Sequence, residues 1–433
     1  MSVQTSDPRP GVAPTPVPQL AVLAILGVLV GLLAGLGASA FIKVEGSILH
    51  WLWGDLPESL GYHEPPGWLA IALLMVGGVV VFAASKLPGH GGHSPLQGLG
   101  IDIGPREVAS VLVAALGSLC FGAVLGPEAP LMAVGTALGA LAFRDPTKPV
   151  RTVMMLAGAM AAVGAIFGNP LVTAILLLEI AIMAGAQMAN PAVLLTALAS
   201  LASGYTLQVG IEGWSGLGRA QLAVPGLPGY PSVQATDVLL AIPLALIVAA
   251  VSMAARIGGE RIYLRAQRRP LATILVAAVG IGLSAIAVSA ITGGSLDLVL
   301  FSGQEAMPEY LAITSLGTAL VVLVGKFVAY ALSLGSGFRG GPIFPAVALG
   351  TLLATGCALL VDGSSLSALS ATCIAAAVAS SLRMPFTAAL LAVLLTASAG
   401  GATTVLAIVG AVVGMLARLG AEGRLDILAP PKF

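Results

Sequence analysis

The 433 residues are 58% hydrophobic and only 9% charged, with a mean hydropathy of +1.02, where soluble domains carry roughly 25% charged residues. Nineteen basic side chains balance nineteen acidic ones, which excludes a basic face for nucleic acid and leaves too little polar surface to coat a water-soluble globule. The 55 glycines and 28 prolines are scattered among apolar runs without a triplet period, so collagen and disorder fail as well, and the chain reads as an all-α polytopic membrane protein.

In chain order, residues 1–17 are Pro-rich, lack a helical period and read as a disordered N-terminal tail. The apolar run from about Leu20 to Phe41 can cross roughly 30 Å of hydrocarbon. No basic region precedes it, so it is expected to stay as a first span and not to be cleaved as a signal peptide. The segment PGHGGHSP at 88–95 holds His90, His93 and Ser94 without a carboxylate or cysteine cluster beside them. A metal site is therefore not expected there. A loop offering a ring N–H or hydroxyl to an anion pathway fits, as does a plain turn at the membrane edge. Cys120, Cys357 and Cys373 lie far apart inside apolar runs and read as inert buried thiols. No metal or other cofactor is expected.

Several apolar stretches, such as 128–143, 170–189 and 385–398, are too short or too broken by Gly and Pro for clean spans. Broken helices at membrane depth need protein or a water-filled cavity around them, which favours a transporter or channel. A first transmembrane repeat is expected over 18–208, a linker over 209–235, a second repeat over 236–420 and a short tail over 421–433. The polar segment 256–269 holds five Arg against one acid. It reads as a solvated cytoplasmic loop with a topological task only.

The repeat rests on two Pro-anchored blocks with one offset. GPEAPLMAVGTAL from Gly126 and GPIFPAVALGTLL from Gly341 share seven identities in thirteen at an offset of 215, and the same offset lays Pro170 on Pro385. Inverted topology, with discontinuous helices meeting at the bilayer midplane, suits such halves. In both blocks a Gly-Pro pair opens an apolar helix, with Pro expected at the first helical position. The free N–H groups of such a start form an anion site without a lysine or arginine to trap the ion. Symmetry breaks at Glu128, whose counterpart is Ile343. A carboxylate beside helix N–H groups can occupy the anion site itself, and once protonated can leave it. A first-turn Glu serving only the helix dipole is the alternative. Glu179, at the end of LVTAILLLE, reads as interfacial or as a second proton carrier. Lys326, Arg339 and Arg383 either raise the potential of an anion pathway or snorkel and pair with carboxylates.

These blocks resemble the CLC family of chloride channels and proton/chloride exchangers. LGPEAP at 125–130 is similar to the family's G-(K/R)-E-G-P, and SGFRGGPIFPAVALGT at 336–351 to its G-x-F-x-P region; 167–179 and 381–396 look like two further family helices. The resemblance runs from the first span to about residue 420. It implies a homodimer with a pore in each subunit, in a minimal bacterial-type form in the cell membrane. It also implies Glu128 as gate, with Gly126, Ala129, Gly341, Ile343 and Phe344 around the anion and His93 or Ser94 at the position of the family's pore serine. The chain departs from the pattern too. Pro127 replaces a basic residue, Pro342 has no N–H to offer, Leu425 stands nearest the inner-gate Tyr, and Ile180 stands where exchangers carry an internal Glu. With fewer donors, loose chloride binding is expected, about millimolar or weaker.

The expectation is anion transport, most simply of chloride, gated by Glu128 with weak or unconventional proton coupling. The competing reading inside the class is a proton-coupled exchanger of chloride or another halide that uses Glu128 and Glu179, with protons as second passenger. Outside it stands a membrane-embedded enzyme, which would need a polar catalytic cluster that the long apolar blocks lack. The expected partners are the anion, the lipid bilayer and a second copy of the chain.

Overall fold

The computed structural model describes residues 16–98, 100–142, 149–184, 190–218 and 222–423. The first half holds α1 (Val17–His50), α2 (Leu56–Ser59), α3 (Gly67–Ala84), α4 (Val108–Leu119), α5 (Glu128–Ala142), α6 (Pro149–Phe167), α7 (Pro170–Ala184) and α8 (Pro191–Val209). The second holds α9 (Ala235–Arg268), α10 (Pro270–Thr292), α11 (Met307–Leu311), α12 (Leu316–Ser336), α13 (Ile343–Leu360), α14 (Leu366–Leu382), α15 (Pro385–Leu395) and α16 (Thr403–Ala421). Among the described residues nine helices are long and apolar enough to cross a membrane. The chain is a multi-pass membrane protein. With 15 residues in α7 and 11 in α15, those helices reach only about 22 and 16 Å at 1.5 Å per residue and cannot span the bilayer.

Local chemistry sets the helix boundaries. Prolines 170, 191, 270 and 385 open their helices, where a missing N–H costs nothing. Asn169 and Asn190 accept the N–H groups of Leu171 and Ala192, each at 2.9 Å. Gly293 and Gly337 end α10 and α12 with φ of 71° and 117°, a conformation that suits glycine. At the two Gly-Pro blocks, however, Pro127 and Pro342 sit just outside the helices. Their carbonyls accept the N–H groups of Leu131 and Ala346 at 3.1 and 3.3 Å, so each acts as a cap and not as the first helical residue.

The halves repeat in packing as well as in sequence. α5 packs on α6 as α13 packs on α14, and α1 lies on α8 as α9 lies on α16. Gly135 and Gly158 let the backbones of α5 and α6 touch, and the offset of 215 carries this pair onto Gly350 and Cys373, which meet in the same way. Small residues at such crossings replace the hydrophobic drive that lipid removes. Gly158→Val should therefore cost about 1–3 kcal/mol through overpacking, read as a lower melting temperature in detergent. Gly46→Ala, on an open face of α1, should leave that temperature unchanged or slightly raised.

The faces of the membrane are marked by aromatic and basic residues. Trp51, Tyr62, Trp68 and Trp214 are exposed around the end of α1, the start of α3 and the connection after α8, as in an interfacial aromatic belt. The basic stretch 256–269 lies at the far end of α9. It is not a loop: helix continues through Arg268, supported by an Arg256–Glu260 pair at 3.0 Å. Gly259 there packs closely on Leu334 and Gly335 of α12.

Among its described residues the 209–235 connection has no long helix before Ala235, and it is strapped to the second half. Val224 and Tyr230 donate to the carbonyls of Leu395 and Ala399 at 2.9 and 2.7 Å. At the front, α1 begins at Val17, inside the segment read as a tail; residues 1–15 lie outside the described residues.

Candidate functional site

The two repeats meet at their Gly-Pro turns. Gly126 N–H donates to the Gly341 carbonyl at 2.8 Å, and Gly341 N–H returns the bond at 2.6 Å. The bridge is antiparallel, as expected where inverted halves meet. α5 and α13 each start two residues later, so both helix starts are fixed at one place in the protein interior.

Glu128 is the first residue of α5 and is fully buried. Its carboxylate reaches into the other half, where Oε1 accepts the Phe344 N–H at 3.1 Å. Oε2 is enclosed and has no hydrogen-bond partner. The carboxylate lies against the Cα atoms of Gly126 and Gly341, where a Cβ on either would collide with it. This is why glycine stands at both positions. Ile343 and Phe344 open α13, both fully buried, and the Phe344 ring packs on Phe167 with centroids 6.2 Å apart. Tyr330 donates its hydroxyl to the Pro342 carbonyl at 3.3 Å, holding the turn from outside. A negative group therefore occupies the α13 N-terminus, with one oxygen held and one left over. An enclosed oxygen without a donor is costly to keep charged.

Ala129 and Gly340 line a cleft on one side of this junction together with Gly91, His93, Pro130 and Arg339. His93 is turned toward Asp102, with Nε2 at 3.2 Å from Oδ1. Ser94 is buried at the start of a short turn. Its Oγ accepts the Leu96 N–H at 3.4 Å while Gln97 accepts the Ser94 N–H at 3.1 Å, so the side chain caps its own short turn. Of the expected anion contacts, Gly126, Gly341, Ile343 and Phe344 gather at the Glu128 carboxylate. Ala129 and His93 face the cleft.

Glu179 is buried in the protein: its two oxygens accept the Phe386 and Thr387 N–H groups, each at 2.8 Å. It thus caps α15 from α7, much as Glu128 reaches α13 from α5. No local pattern encodes this cap, because the partner amides lie more than 200 residues away. Ile180 beside it packs partly buried against the core, and Leu425 lies outside the described residues.

The cations divide by partner. Lys326 neither snorkels nor pairs with a carboxylate: its fully buried ammonium donates to the carbonyls of Val299, Leu300 and Phe301 at 3.0, 2.8 and 3.0 Å. Arg383 does pair, at 2.6 Å from Glu422, which also holds Arg418 at 2.8 Å. Burial raises the Glu422 carboxyl's pKa, but hydrogen bonds from Arg383 and Arg418 outweigh it and hold the group below its ordinary value. Among the described residues no three metal-ligating side chains cluster.

A family model described as voltage gated chloride channel matches residues 89–418. The protein named "Putative ion-transport protein YfeO" of Escherichia coli is 26% identical over 339 residues, covering 76% of this chain and 78% of its own. Its Salmonella newport counterpart is 25% identical over 338 residues, covering 76% and 79%. Among solved structures, a slow cyanobacterial Cl−/H+ antiporter superposes with a TM-score of 0.74 at 19% identity, over 93% of this chain and 95% of that one. A CLC-type fluoride/proton antiporter superposes with a TM-score of 0.65 at 18% identity, over 93% and 96%.

Proposed function

The chain belongs to the voltage-gated chloride channel family, and we propose that it carries chloride across the cell membrane through a pathway in each subunit of a homodimer, with Glu128 as its gate. The observation that carries this reading is the Glu128 carboxylate on the Phe344 amide, with its second oxygen enclosed and unpaired. The same amide suits an inorganic anion, because helix N–H groups and the helix dipole favour any negative charge placed there. Carboxylate and anion then compete for one place, and protonation of Glu128 favours the anion. Proton coupling is weak in this reading. Glu179 has both oxygens committed to backbone amides and its neighbour Ile180 cannot hold a proton.

The alternative is a proton-coupled exchanger; the two solved relatives described above are themselves named as antiporters, one for chloride and one for fluoride. Purified protein in chloride-loaded liposomes should release chloride well above empty vesicles once an ionophore clamps the voltage. Release no faster than from empty vesicles would sink the transport reading. Repeating the assay with fluoride, bromide and nitrate outside ranks the anions, and fluoride as the only anion moved would replace chloride in the proposal.

A further inference from the structure

The arginine-rich end of α9 takes no part in the site around Glu128, yet its side chains are ordered by face. α9 holds 34 residues, about 51 Å at 1.5 Å per residue, against about 30 Å of hydrocarbon. Its last turns, with Arg261, Arg265 and Arg268, therefore reach the level of the lipid headgroups. Ala255, Gly259, Ile262 and Ala266, at i, i+4, i+7 and i+11, turn toward the protein. Ala255, Gly259 and Ala266 are buried, and Gly259 and Ile262 pack on Gly335 of α12. Two residues further on, Ile257, Arg261, Leu264 and Arg268 repeat that spacing on the opposite side. All four are exposed, with exposed Arg265 beside them. Glu260, the one acid in the stretch, is held by Arg256 at 3.0 Å. Among the described residues no carboxylate lies within ion-pair distance of Arg261, Arg265 or Arg268.

The rest of the helix indicates what covers this face. Leu239, Leu246, Ala250 and Ile257 form an exposed apolar stripe along the spanning part of α9. At about 100° per residue, that stripe and Arg261, Leu264 and Arg268 all fall in one sector about 60° wide. An acyl chain lying on the stripe would bring its phosphate to the arginines, whose planar forks bind phosphate through paired hydrogen bonds. Three charges without a carboxylate favour a headgroup of net negative charge over a zwitterionic one. A soluble anion would answer the arginines but would leave Leu264, exposed between two of them, uncovered in water.

We propose that this face of α9 binds an anionic phospholipid from the leaflet on the basic side. Its acyl chain lies on the Leu246–Ile257 stripe and its phosphate among Arg261, Arg265 and Arg268. Basic clusters just outside a span attract anionic headgroups, and here cluster and stripe share one helix face. The proposal goes beyond the transport reading and does not depend on it. The buried side of the same turns grips α12, so a bound lipid steadies the α9–α12 pair.

The probes are phosphatidylglycerol and phosphatidylcholine with identical acyl chains, added to the full chain in detergent. Native mass spectrometry should show the wild type retaining phosphatidylglycerol at least about ten-fold better than phosphatidylcholine. Arg261→Gln, Arg265→Gln and Arg268→Gln combined should abolish that preference. Phosphatidylglycerol should also raise the melting temperature of the wild type and leave that of the triple variant unmoved. Equal retention of the two lipids by the wild type, or an undiminished preference in the triple variant, would overturn the proposal. Glycerol phosphate, the soluble headgroup fragment, should not displace the lipid at equal concentration; if it does, the site takes soluble phosphates and the lipid is removed from the proposal. If the triple variant does not fold, the wild type alone decides. A phosphatidylglycerol with a photoreactive headgroup should label residues 257–271, and labelling confined to other segments counts against this face.

Discussion

Replacing Glu128 with alanine is expected to raise chloride flux into liposomes at neutral pH by about ten-fold or more and to flatten its dependence on pH. An anion reaching the α13 N-terminus of the wild type must displace the carboxylate from the Phe344 amide. A hydrogen bond involving a charged group is worth roughly 1.5–3 kcal/mol, and each 1.4 kcal/mol is about a factor of ten. Alanine abolishes that competition. The sign with pH follows from charge. As pH falls, the carboxylate takes up a proton, loses its attraction to the amide and yields the place, so wild-type flux rises toward acid. Glu128→Gln keeps the size without the charge and should give a flat profile close to that of the protonated wild type. A wild-type slope with pH that persists in both variants would remove Glu128 from the role of gate.

The second large effect is expected at Glu179, and it is one of stability before transport. Glu179→Leu should destabilise the protein by at least about 3 kcal/mol, since two charge-assisted bonds are lost and two buried amides of α15 are left without acceptors. The readout is a drop in melting temperature and in the monodisperse fraction after extraction. Glu179→Gln retains one good acceptor and should fall between. For the proton, an imposed chloride gradient across sealed, voltage-clamped liposomes should drive no sustained uphill proton movement in the wild type. Uphill movement at a fixed ratio to chloride, lost in Glu179→Gln, would turn this helix cap into the relay of an exchanger.

Much of the architecture is legible in the sequence because prolines and glycines punctuate it. The Gly-Pro pairs at 126 and 341 and the prolines at 170 and 385 mark helix starts, and a single offset relates them. Glu128 stands out because a carboxylate breaks that symmetry in a chain with few charges. What the sequence hides is long-range pairing. Glu179 ends an apolar run and looks interfacial, yet its partners are backbone amides of the other half, which carry no side-chain signature. Lys326 is obscured for the same reason, since three carbonyls leave no mark in the sequence. The stretch 256–269 misleads by composition: five arginines suggest a loop, but an i,i+4 ion pair and close packing of Gly259 on α12 keep it helical. Arg339 is visible as a lone charge in SGFRGGP, and only the cleft gives it a setting.

The two-way bond between Gly126 and Gly341 bears on how such a protein can move. Two reciprocal backbone bonds at the centre rivet one repeat to the other. A cycle in which the halves swing past each other like jaws would have to shear this rivet at every turnover, breaking the bonds of four buried peptide groups. The economical cycle leaves the frame still and moves one side chain. Deuterium exchange should then find the Gly126 and Gly341 amides among the slowest in the chain, equally slow in chloride and in a non-transported anion, while the ion passes beside them.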